Sequence, residues 1–135
     1  MKIVRFSNEE TVKYGVLDGS VVRGIQISPF CELWDHGAPM FDGTEYPVEN
    51  VTLLVPCEPT KYLGVGLNFT GAAKMLGRAA PEYPITFLKP TSAVVPSGAA
   101  IEIPVFEGYH YLYEGELAVV IGKEAKNVSR ENALD

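Results

Sequence analysis

At 135 residues the chain has room for one ordinary domain, or for a small domain and part of a second. A hydrophobic content of 47% and a charged content of 21% are globular values, and a net charge of −6 excludes the basic footprint of a nucleic-acid binder. No apolar run approaches the ~20 residues of a membrane span, no leader-like segment opens the chain, and Cys31 and Cys57 stand alone as reduced thiols do. A cytoplasmic location is therefore expected. The glycosylation patterns at Asn68 and Asn127 carry little weight without a secretory route.

Residues 1–27 read as an antiparallel meander. A strand over 1–6 leads to a second over 11–17, which places Val12, Tyr14 and Val16 on one face. Asp18-Gly19 signals a two-residue hairpin, with 20–27 as the return strand. Residues 28–50 contain Pro29, Pro39, Pro47 and repeated glycine breaks, which predicts a long loop with one helical turn. Phe30, Trp34, Met40 and Phe41 are candidates to anchor it on the meander. His36, between Asp35 and Gly37, reads as an exposed loop residue rather than a catalytic one.

Residues 51–55 form an apolar strand, and Pro56-Cys57-Glu58-Pro59 is a stiff break after it. A domain boundary is expected there, dividing 1–59 from 60–135. In the next predicted strand, 61–67, Gly64-Val65-Gly66 invites a dinucleotide reading. The third glycine would fall at Phe69, so the fingerprint fails. A short helix is predicted over 70–77, capped by Thr70 and ended by Gly77. Strands over 85–89 and 99–105 follow, with a loop between them, and an aromatic connection over 106–112.

The stretch 113–122, Tyr-Glu-Gly-Glu-Leu-Ala-Val-Val-Ile-Gly, carries the chemistry. Its apolar half, 117–121, predicts a strand buried on both faces. Side chains alternate on a strand, so Glu114 and Glu116 would share a face, roughly 6.5–7 Å apart along the backbone. Paired carboxylates entering a buried strand repel one another and lose solvation, and no Arg or Lys compensates nearby before Lys123. Either the pair is solvated at the strand mouth and binds nothing, or a hard divalent cation takes an oxygen from each. Ser129 then predicts a helix N-cap with Glu131 in its first turn, and the expectation is a domain that continues past Asp135.

Four segments in order resemble the fumarylacetoacetate hydrolase (FAH) family: Val65-Gly66-Leu67-Asn68-Phe69, Pro84-Ile85-Thr86-Phe87-Leu88-Lys89-Pro90, the run from Tyr113 to Lys123, and Ala133-Leu134-Asp135. The opening Met1 to Phe6 with Tyr14-Gly15-Val16-Leu17 resembles the small N-terminal domain of bacterial and archaeal members. The resemblance implies an α+β, mostly β fold: a small β-rich N-terminal domain, then the first part of an FAH-like mixed β-roll. It implies Mg²⁺ or Mn²⁺ on Glu114 and Glu116, with a third ligand, an aspartate, from a strand beyond Asp135. It also implies a homodimer acting on small 2-oxo or enol acids by C–C hydrolysis, decarboxylation, tautomerisation or isomerisation, as in 2-hydroxyhepta-2,4-diene-1,7-dioate isomerases. Lys89 matches a family lysine and is a candidate contact for a substrate carboxylate, or simply closes its strand.

The chain departs from the family at one place. The lid His and Glu that activate water in hydrolase and decarboxylase members fall on Ala72 and Met75, and neither moves a proton. Isomerase-type chemistry is therefore favoured over hydrolysis. The competing expectation is a non-catalytic binding or assembly module, or one completed by a second chain. Tyr113 and His110 read as structural rather than catalytic.

Overall fold

The computed structural model describes residues 1–9, 11–34 and 38–134. Strands β1 (Ile3–Ser7), β2 (Val12–Asp18), β3 (Val21–Ile25), β4 (Phe41–Pro47) and β5 (Thr52–Leu53) form one antiparallel sheet in the order β4-β3-β2-β1-β5. Strands β6 (Tyr62–Gly66) and β7 (Ile85–Lys89) form a separate antiparallel pair, with helix α1 (Thr70–Met75) in the connection between them.

The five-stranded sheet is built on alternation and on two glycines. Val4 pairs with Gly15 and Gly15 with Gly24, so a stripe without side chains crosses β2 and β3. A Cβ on Gly15 would stand 2.7 Å from Val22 and 3.0 Å from Phe6, the two side chains with no solvent exposure at all. Those two close over the stripe, and the Tyr46 ring meets Phe6 at 5.5 Å. Burying each is worth ~1.5–3 kcal/mol. Ile25 and Trp34 complete the apolar core of this half, and Phe30 lies edge-on to Tyr14 at 6.1 Å.

Gly24 leaves space of the same kind for Asp42 and Thr44. Here β4 bulges, the pairing jumping from Arg23↔Glu45 to Ile25↔Phe41 with Gly43 at φ +85°. Asp42 accepts from Lys13 at 2.5 Å, from the Thr44 hydroxyl at 2.6 Å and from the Thr44 amide at 2.8 Å. The Lys13 hydrogen bond, then the Thr44 hydroxyl, hold the Asp42 carboxyl down to about 2, and the same bond raises Lys13.

Several elements differ from the sequence expectation. The first hairpin turns on Gly19-Ser20, one residue later than expected, with Gly19 at φ +57° in the first central position. The loop expected over 28–50 contains the strand β4; Asp42, Gly43 and Pro47 disguise it, and an edge position tolerates all three. The helical turn expected there is a 3₁₀ turn at Val48–Asn50. Helix α1 is capped from Phe69, with Thr70 as its first residue and no side-chain cap bond; Gly77, at φ +62°, ends it as expected.

The larger correction concerns 99–105 and 113–122. Among the described residues neither forms a strand, and every described residue from 101 onward is exposed. Leu117 is 87% exposed and Ile121 70%. A strand exists only where a neighbour takes its backbone hydrogen bonds, and β6 and β7 pair only with each other. Nor does Ser129 start a helix. Residues 131–134 are turn, although the Glu131 carboxyl is lowered, first by its own backbone amide and then by the Ser129 side chain.

Candidate functional site

The hairpin of β6 and β7 brings one group of chemically expressive residues together. Its register sets Tyr62 opposite Lys89 and Gly64 opposite Phe87, so all four share a face. A Cβ on Gly64 would run into the Phe87 ring, so this ring lies across the glycine. The Lys89 ammonium stands 5.6 Å from the Tyr62 ring centre and 5.8 Å from that of Phe87. No ion pair to Lys89 occurs among the described residues, whereas Lys13, Arg5 and Arg23 each hold a carboxylate. Lys89 is thus an accessible positive charge at the end of a strand, beside two aromatic rings.

Helix α1 presents Ala73 inward at 2% exposure, with Ala72 half-buried and Met75 90% exposed. Its described side chains supply no acid or base beyond Lys74. Glu114 and Glu116 lie in the exposed, strandless segment, and no ion pair joins either to Lys89 among the described residues. Their carboxylate oxygens have the hardness that Mg²⁺ or Mn²⁺ prefers. Yet no group of three His, Cys, Asp or Glu side chains comes together among the described residues.

Tyr113 is fully exposed among the described residues, and the packing role expected for it is not seen there. His110 is exposed beside the Phe106–Tyr109 ring pair, whose centres are 5.9 Å apart. His36 lies outside the described residues. A cleft of about 420 Å³ between Pro29–Trp34 and Gly122–Glu124 is lined by none of Lys89, Glu114 or Glu116. Sequence reading missed Tyr62 and Phe87. The available signal was the alternation of Phe87 with Lys89, which becomes informative only once the register opposite Tyr62 and Gly64 is known.

A glycine-bearing hairpin enclosing a short helix, a Phe-Leu-Lys-Pro end and a downstream Glu-Gly-Glu define a class. Residues 61–135 match the family model of the fumarylacetoacetate (FAA) hydrolase C-terminal domain, and residues 1–56 match the Rv2993c-like N-terminal model. The chain belongs to the fumarylacetoacetate hydrolase family.

Among its relatives, Protein Rv2993c of Mycobacterium tuberculosis is 31% identical over 137 aligned residues, covering 100% of this chain and 51% of that protein. The mitochondrial oxaloacetate tautomerase FAHD2 of Arabidopsis thaliana is 49% identical over 77 residues, covering 56% of this chain and 34% of that one. Among solved structures, a 5-carboxymethyl-2-hydroxymuconate delta-isomerase from Mycobacterium smegmatis matches with a TM-score of 0.54 at 30% identity, over 70% of this chain and 35% of that one. A 2-hydroxyhepta-2,4-diene-1,7-dioate isomerase from Mycobacterium marinum matches with a TM-score of 0.53 at 28% identity, over 70% and 34%. The chain spans about half or less of the length of these relatives. Among the described residues no helix is long and apolar enough to cross a membrane.

Proposed function

We propose that the protein is a divalent-metal-dependent enzyme of isomerase or tautomerase type that acts on a small 2-oxo or enol diacid. The observation that carries this is the composition of α1: at Ala72 and Met75 the helix has no group to activate a water. The names of the relatives, an oxaloacetate tautomerase and two diacid isomerases, support the same class. In this reading Lys89 binds one substrate carboxylate, and Glu114 and Glu116 hold Mg²⁺ or Mn²⁺ with a donor outside the described residues. The ion, when bound, supplies Lewis-acid stabilisation of enolate charge. The protein's own task is then to fix the diacid by its carboxylate and to keep hydrolytic water inactive. A cytoplasmic homodimer, or assembly with a chain that completes the fold, belongs to the same proposal.

The test uses the protein with Mn²⁺ binding read by electron paramagnetic resonance and with oxaloacetate and hydroxymuconate-type diacids as substrates. Glu116→Gln is expected to lose Mn²⁺ binding and turnover together. Turnover that persists after chelation, or in Glu116→Gln, rejects the metal-dependent reading.

A further inference from the structure

We propose that the rings of Tyr62 and Phe87 form a shelf that fixes the Lys89 ammonium and so positions it to capture a substrate carboxylate. The proposal rests on the role given to Lys89 above and names the residues that place it.

Three observations carry it. First, the ammonium lies 5.6 and 5.8 Å from two ring centres on the same face of the hairpin, within the ~6 Å over which a ring attracts a cation. Second, Phe87 occupies its place because Gly64 has no side chain, so the shelf is a property of the pair Gly64↔Phe87 and not of Phe87 alone. Third, Lys89 has no carboxylate partner among the described residues, whereas Lys13 is paired with Asp42, Arg5 with Glu58 and Arg23 with Glu45. A cation held by rings is restrained yet keeps its N–H donors, and no carboxylate among the described residues takes them. Such a group is suited to an anion from outside the chain. Tyr62 and Phe87 are positioning residues in this scheme, acting only through Lys89.

Position and binding are read separately. In the protein, with cross-strand NOEs confirming the β6–β7 pairing, the Lys89 ε-methylene resonance, identified by its disappearance in Lys89→Met, is expected upfield of the other lysines because of the ring currents. Phe87→Leu returns it toward them; Tyr62→Phe, which keeps the ring, leaves it in place. In the same protein, with oxaloacetate as the probe, Phe87→Leu is expected to weaken binding about 2- to 5-fold, with kcat changed less than about 2-fold. Phe87→Tyr restores binding. A Lys89 resonance like that of the other lysines overturns the shelf whatever the enzyme does. A shifted resonance, with binding weakened in Lys89→Met but not in Phe87→Leu, overturns the positioning role and leaves the proposed function standing. Binding unchanged in Lys89→Met removes the carboxylate contact itself, and both readings fail.

Discussion

At the scale of single residues, the chain uses its charges in two ways. Lys13 and Asp42 are committed to one another on the face that covers Phe6 and Val22, their 2.5 Å bond seated over Gly24. Asp42 is depressed to about 2, so its contribution is present above the unfolded carboxylate value near ~3.9 and lost as pH falls through the folded value. Lys13 is raised, so its contribution is present below the unfolded amine value near ~10.4 and lost above it. The pair therefore stabilises across the intervening range, by about 1 kcal/mol after screening near the surface. Asp42→Asn is expected to lower stability by about that amount at pH 7, with the gap closing between pH ~4 and ~2. Urea unfolding at several pH values measures it; a gap that stays constant down to pH ~2 removes the charge explanation. Lys89, in contrast, lies against two rings and has no carboxylate partner among the described residues.

At the scale of elements, what the sequence reveals depends on where each element finds its partner. The meander strands were legible because β1, β2 and β3 pair with sequence neighbours across short turns. The β6 and β7 strands were legible from their apolar content, but the shared face of Tyr62, Phe87 and Lys89 was not, because it depends on register. Strand β4 was hidden by Asp42, Gly43 and Pro47, the residues that form the bulge and the edge. Around Glu114 and Glu116 the local pattern indicates a strand, but no neighbour among the described residues supplies its hydrogen bonds. Helix α1 allows the opposite test, since its sequence can be altered without touching a sheet. If Ala72 and Met75 are why hydrolysis is disfavoured, then Ala72→His with Met75→Glu should raise acylpyruvate hydrolysis in the protein, by up to the ~10²-fold low end of general-base catalysis. Met75 is 90% exposed and takes a glutamate freely, whereas a histidine at half-buried Ala72 has less room. Hydrolysis unchanged in a folded double variant would remove the lid from the explanation.

At the scale of the whole molecule, the packing is concentrated in one half. Of the buried apolar residues, Phe6, Val22, Ile25 and Trp34 lie within the first 34 positions, and Ala73 is the exception. The Arg5–Glu58, Lys13–Asp42 and Arg23–Glu45 ion pairs all fall within residues 5–58, and the Arg5–Glu58 pair at 2.5 Å ties the Pro56–Pro59 break back to β1. Beyond it, the β6 and β7 hairpin is a two-stranded unit, which is marginal in water unless another surface covers it. Exposed Ile101, Val105, Leu112, Leu117 and Ile121 add apolar area without cover among the described residues. The stability of this chain should therefore reside in its first 59 residues. A 1–59 polypeptide is expected to unfold cooperatively, followed by Trp34 fluorescence, at nearly the same urea midpoint as the 135-residue chain. Residues 60–135 alone should show no cooperative transition and should bind a hydrophobic dye. Fifty-nine residues is close to the lower limit for a single core, so the midpoint should be modest. An unfolded 1–59 polypeptide would show that the second half contributes packing energy to the first, and would move the folding unit across the Pro56–Pro59 break.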